Sequence, residues 1–253
     1  MNTMAEAIPA AADGMLADSF IVVPETTLPC GTVVPSFMVG QYACTKGPMV
    51  RSDGETKRRA AVIATDAPWV RINFDEAKTA CMKAGYALIT ELQWLAIAHD
   101  AARQDCNWTK GKVGEGKLFR GIRRGDVYSA QPGSFEPEHA KERRWLTLSN
   151  GERICDLNGN VFQWIFDDVQ GGENGLVAKA FAEDSPSLQA PYPAMEKGMG
   201  WRPSAGANWS GYALFRGGYW FSEAYAGAFR LHYDWPDSRD DYVGFRCTKP
   251  IGL

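Results

Sequence analysis

The chain has 253 residues, 45% hydrophobic and 23% charged, a composition ordinary for a soluble globular protein and long enough to bury a substantial core. Its formal net charge of −3 excludes a global basic field that would draw in nucleic acid or an anionic membrane. Nine tryptophans and 26 glycines suggest many turns around bulky anchors, as in a loop-rich mixed fold and not a helical bundle.

Residues 1–18 are alanine-rich and are expected to form a flexible tail, with one domain over 19–253. Met1 to Phe20 lacks a basic start and a long apolar run and contains Glu6, Asp13 and Asp18. No secretory signal is therefore expected, and no stretch is long enough to span a membrane. From Ile21 to Tyr42, short β-branched runs predict edge strands at Ile21–Val23, Thr32–Val34 and Phe37–Val39, punctuated by Pro24, Pro29 and Pro35. Residues 46–68 read as polar and turn-like. Asn73 is a good N-cap for a helix through Phe74, Ala77, Cys81 and Ala84, with Asp75 and Glu76 at its positive start and Gly85 placed to end it. Tyr86 to Ile89 reads as a short buried strand. Thr90 and Gln93 have capping-box spacing for a second helix that fades near Gln104, with Leu92, Leu95, Ala96 and His99 on one face. His99 is read there as a packed histidine and not a base.

Beyond residue 105 no helix is convincing, and glycine, proline and tryptophan recur between short apolar pieces. Lys110 to Arg124 is locally basic but reads as a solvated glycine-rich loop. Two helices followed by a long irregular β-region make an α+β layout. No repeat of solenoid or propeller length is present.

Catalytic chemistry is not legible. The three histidines, His99, His139 and His232, are not spaced as metal ligands with one another or with cysteine. There is no H-E-x-x-H, G-x-S-x-G or Walker loop. The six cysteines, at 30, 44, 81, 106, 155 and 247, form no C-x-x-C pair. Buried free thiols are as good a reading of them as disulfides. Asp167-Asp168 reads as a solvated turn.

Three passages carry a resemblance: Asp156-Leu157-Asn158-Gly159-Asn160-Val161-Phe162-Gln163-Trp164, then Leu214-Phe215-Arg216-Gly217-Gly218-Tyr219-Trp220, then Val243-Gly244-Phe245-Arg246-Cys247. In this order they resemble the formylglycine-generating-enzyme branch of the C-type lectin fold, with its G-N-x-W-E-W, R-G-G-S-W and G-F-R patterns. The resemblance covers roughly residues 30–250. It implies a C-type-lectin-like α+β fold, two helices packed on short irregular antiparallel sheets with long loops. Glycines would serve turns and close approach, and Trp220 the core.

The enzyme's chemistry does not carry over, since Phe221 to Gly227 holds no cysteine where the family places a reactive pair. No cofactor is required. The family binds calcium near the G-N motif, but the neutral Gln163 stands in a glutamate-like place, and calcium at Asp156 is a minor expectation.

The chain also resembles variable proteins of diversity-generating retroelements, such as phage tail receptor-binding proteins, whose C-terminal segment is rewritten at chosen codons. The implied variable region is about 215–247. Ligand-binding positions would be Tyr219, Phe221, Ser222, Tyr225, Arg230, His232, Tyr233, Asp234, Ser238, Arg239, Asp240, Asp241 and Tyr242. All are encodable by codons that end in a pyrimidine, as that rewriting requires. Glu223 and Trp235 are not, and are assigned to the scaffold or to another template codon. Arg230, His232 and Asp234 alternate with period 2, which predicts one exposed face of an extended segment.

The resulting expectation is a non-enzymatic display protein on a virion, at a phage tail tip, or on a bacterial surface. It would bind a protein or glycan on a target cell, with homo-oligomer formation raising avidity, and without nucleic acid or membrane insertion. The alternatives are an oxidase of the related family with relocated chemistry, or a structural surface protein without a specific ligand.

Overall fold

The computed structural model describes residues 17–52 and 54–252. The expected tail lies outside them up to residue 16. Asp18 is already part of the domain: its carboxylate accepts from the Val62 amide at 2.7 Å, the Tyr86 hydroxyl at 2.6 Å and Arg59 at 3.1 Å.

The first sheet joins the two ends of the chain. Strand β1 (Phe20–Val23) pairs with β4 (Phe37–Gly40) after a small ribbon of β2 (Thr26–Thr27) and β3 (Val33–Val34). All three predicted strands of this region are present. The next stretch departs from expectation. Residues read as turn-like form a long antiparallel ribbon, β5 (Thr45–Ser52) with β6 (Glu55–Ala61). Most of β6 faces water, so no apolar alternation marks it.

Helix α1 (Phe74–Lys83) starts with a full capping box: the Asn73 side chain accepts from the Glu76 amide, and the Glu76 carboxylate accepts from the Asn73 amide. Gly85, at φ 77°, turns the chain out of the helix and into β7 (Ala87–Leu88). Helix α2 (Glu91–Ala102) has the same box from Thr90 and Gln93. It is buried from Trp94 to Ala102, more completely than a single apolar face implies. His99 lies inside, its ring 4.8 Å from Phe229.

After α2, a long irregular stretch leads to the ribbon of β8 (Trp145–Thr147) and β9 (Arg153–Cys155). The second main sheet follows, from β10 (Phe162–Ile165), β11 (Ala213–Arg216), β12 (Leu231–Asp234) and β13 (Val243–Phe245), in the order β12-β11-β10-β13. Its pairs are antiparallel except β10–β13, which run parallel, a departure from the all-antiparallel expectation. The final strand, β14 (Cys247–Lys249), returns to the first sheet between β4 and β7. The layout is α+β, as expected: two helices on short sheets, with long loops.

Two further expectations are corrected. Within the basic loop, Arg120 and Arg123 are buried, their guanidiniums turned inward to backbone carbonyls of Ala224 and Gly121. Asp167 is no solvated turn. It is fully buried, and its Oδ1 accepts from the Val169 and Gln170 amides. All six cysteines are free; Cys44, Cys81, Cys155 and Cys247 are buried and Cys30 and Cys106 exposed.

Candidate ligand-binding face

The second sheet separates two hydrophobic clusters, and its register decides which side chains reach which. Trp164 pairs with Phe215 and Phe215 with His232, so these three share a face with Asp234 opposite Ala213. Leu214 and Leu231, at the intervening positions, point into the other cluster with α2. The period-2 reading of Arg230, His232 and Asp234 therefore gives the correct side. Their exposure differs from expectation, because all three are half-buried. The rings of Phe162 and Phe215 lie below them and draw them in.

These two rings, 4.4 Å apart, are the floor. His232 stacks on Phe215 at 5.6 Å with 7° between the planes. Tyr219 and Tyr242 pack on Phe162 at 5.5 and 6.4 Å and on each other at 4.7 Å. The Arg230 guanidinium lies over Phe162, 4.6 Å from the ring centre, and 5.9 Å from Tyr225. Beyond this cluster Phe221 and Tyr225 stand 57% and 53% exposed. Ser222 belongs elsewhere. It is buried, and its Oγ accepts from the Tyr219 amide, so it shapes the turn and does not face a ligand.

Acidic groups gather at the other end. Asp234 Oδ1 accepts from the Trp235 amide at 2.7 Å and from Ser238 Oγ at 2.9 Å, which fixes the turn after β12. Burial, and then the nearby Asp234, push the Asp240 carboxyl up. The Tyr242 hydroxyl is pushed up to about 12 by burial and by Asp240. Arg239 is drawn aside, donating to Glu76 of α1 at 2.8 and 3.1 Å, and Asp241 accepts from Arg71 at 3.4 Å. Burial lowers the pKa of His232, which keeps its imidazole neutral at neutral pH.

Aromatic residues that border the face at the edge strand are unmarked by the sequence reasoning. Trp209 lies 4.3 Å from Tyr233 and 6.2 Å from His232; Trp201 lies 5.6 Å from His232. Tyr212 packs on Tyr233 and on Trp235. These come from the long loop between β10 and β11, where no periodicity reports direction. Their aromatic density was the available signal. Trp235, assigned to the scaffold or to another template codon, is 58% exposed, and Glu223 is exposed as well.

Beneath the face lies a polar frame. Arg216 and Glu91, both fully buried, form a bidentate pair, and Arg216 also donates to the Phe229 carbonyl at 3.0 Å. Gly217, at φ 95°, brings the backbone to where a Cβ would meet the Leu157 carbonyl at 2.9 Å. Arg144 donates to both oxygens of Asp156, and Asn160 donates to Oδ2 at 2.9 Å. Arg246 is enclosed. It donates to Gln163 Oε1 at 2.8 Å, the Gly40 carbonyl at 2.6 Å and the Cys155 carbonyl at 2.7 Å.

The fold family's calcium does not fit here. Both oxygens of Asp156 already accept from Arg144, and Oδ2 from Asn160 as well, and the oxygen of Gln163 faces a buried guanidinium that a cation would have to displace. Among the described residues no group of three or more His, Cys, Asp or Glu side chains is placed to hold a metal ion. Burial pushes the Cys44, Cys81, Cys155 and Cys247 thiols well up, the opposite of an activated thiolate.

A family model described as a sulfatase-modifying factor enzyme 1-like domain matches residues 30–251. A search of curated protein sequences finds no match. Among solved structures the chain is similar to PvdO from Pseudomonas aeruginosa (16% identity, TM-score 0.44, covering 96% of this chain and 100% of that one). It is similar to Treponema denticola variable protein 1 (14%, 0.47, 92% and 94%). It also resembles the Major Tropism Determinant P3c variant (13%, 0.37, 89% and 52%), of which it spans about half.

Proposed function

The chain belongs to the sulfatase-modifying factor enzyme 1-like family, and from that premise we propose that it is a recognition protein without catalytic activity, whose C-terminal face binds a macromolecule on a target cell. The face is built by residues 219–242 and is rewritten by a diversity-generating retroelement. One observation carries the reading. The sequence-assigned positions Tyr219, Tyr225, Arg230, His232, Asp234, Asp240 and Tyr242 gather on or beside one side of the second sheet, whereas Tyr233 alternates to the other side with Leu214. The fixed-looking Phe162, Trp164, Phe215 and Arg216 lie below or behind them.

This is how a paratope is arranged, with rigid aromatics for contact area and charges for discrimination, held by a frame that does not change. Against the oxidase alternative, the segment after the R-G-G motif has no cysteine, and burial pushes up the pKa of the Cys44 and Cys247 thiols. Display is assigned to a virion, at a phage tail tip, or to a bacterial surface, where several copies would bind together. Among the described residues no helix is long and apolar enough to cross a membrane.

The test is genomic. DNA flanking the gene is sequenced for a near-copy of the codons for residues 215–247. The expected result is a repeat that differs almost solely at template adenines, at codons for the face residues and not for Phe215, Arg216, Gly217 or Arg246. If no repeat and no reverse-transcriptase gene lie nearby, the retroelement reading fails.

A further inference from the structure

Several buried arginines of this molecule have partners that engage their guanidiniums. Arg216 has Glu91, Arg144 has Asp156, and Arg246 has a ring of carbonyl oxygens. Arg230 differs. Its Nε and Nη1 are shielded from solvent and have no acceptor among the described residues. The guanidinium has the flat ring of Phe162 on one side and Tyr225 nearby, contacts that attract a cation but satisfy none of its N–H groups. A buried donor without an acceptor is costly, more so when charged, and native interiors rarely keep one.

We propose that Arg230 is the centre of the binding face and that it pairs with a carboxylate side chain of a protein ligand. This rests on the reading of the face as a binding surface and adds the chemistry of what it binds. A planar carboxylate matches the two parallel N–H groups of a guanidinium fork. The rings of Tyr219, Tyr225 and His232 around it exclude water and strengthen the pair. Tyr225 is the side chain that moves aside to admit the ligand, since it is half exposed and sits on a single 3-10 turn, Glu223–Tyr225, beginning at a residue with φ 47°. The face is broad and aromatic and carries the acids Asp234 and Asp240 at its far end. A protein surface with an acidic anchor beside neutral and basic groups complements both ends. A carboxylated glycan, acidic throughout, is repelled by the second.

Peptides selected from a displayed random library against the full chain are the probe. Each selected peptide is then measured against wild type, Arg230→Gln, Arg230→Lys and His232→Ala, and again with its acids changed to amides. The expected result is enrichment of Asp and Glu, with at least a roughly tenfold loss of affinity in Arg230→Gln, partial rescue by Arg230→Lys and no further loss when the peptide acid is also removed. Thermal melting separates binding from structure: Arg230→Gln melts no lower than wild type, because it removes an unpaired buried charge. A melting temperature lower by more than about 4 °C overturns the assignment and makes Arg230 structural. Peptides that ignore Arg230→Gln but are lost in His232→Ala overturn the carboxylate inference and leave the face standing; peptides indifferent to both overturn the face as well. Tighter binding of a uronic-acid oligosaccharide than of any peptide, again dependent on Arg230, overturns the protein ligand.

Discussion

At the scale of single residues, the decisive terms are buried charges and a buried imidazole. Glu91 and Arg216 are both fully enclosed. Arg216→Met leaves Glu91 ionised with no counter-charge, and is expected to cost about 3–5 kcal/mol in urea unfolding. Adding Glu91→Leu to that variant recovers most of the loss; a double variant no better than the single one contradicts this account. The arginine was visible in the R-G-G pattern, but its partner lies 125 residues earlier in the chain, and nothing local to either one names the other. His99 adds a pH dependence. Burial pushes its pKa down to about 4, so the folded state resists the proton that the unfolded chain accepts below about 6.5. Above that pH both states are neutral and the group contributes nothing. Between about 6.5 and 4 it removes on the order of 3 kcal/mol of stability. Melting temperature is therefore expected to fall with acid over that window, and to fall less in His99→Leu. An equal fall in both sinks the assignment to His99.

Elements were legible where their signal is local. A capping box is four residues of sequence, and both helices begin at the expected caps. Thr90→Ala is expected to cost about 1 kcal/mol by removing the acceptor of the Gln93 amide. The β5–β6 ribbon was not legible because its order comes from pairing across a turn while most of β6 faces water. An element of that kind opens easily. Its amides are expected to exchange with solvent faster than those of α2, whose residues from Trp94 to Ala102 are buried, and equal protection in hydrogen exchange contradicts that ranking. The binding segment is an intermediate case. Period 2 gives the face of β12, but the half-burial of its side chains is set by Phe162, Phe215, Trp201 and Trp209, which other segments supply.

Across the whole molecule, one sheet both closes the core and displays the face, so tolerance to substitution should change sharply with depth. Phe221, Tyr225 and Asp241 are exposed, and Tyr233 lies at the edge strand under Trp209. Replacing the three exposed residues together, by Phe221→Ser, Tyr225→Asn and Asp241→Asn, removes little buried area. The melting temperature is expected to move by no more than a few degrees, near about 2–4 °C for each kcal/mol. Phe215 lies one side chain below, between Phe162, Trp164 and His232. Phe215→Ser empties the floor and adds a buried hydroxyl, for roughly 3–5 kcal/mol and about 10 °C. Tyr219 and His232 stand between these limits, because they touch the floor and water at once, and a change there alters packing as well as recognition. If the three outer substitutions unfold the protein while Phe215→Ser is tolerated, the division between a displayed layer and a fixed frame is wrong, and the binding surface must be sought elsewhere on the molecule.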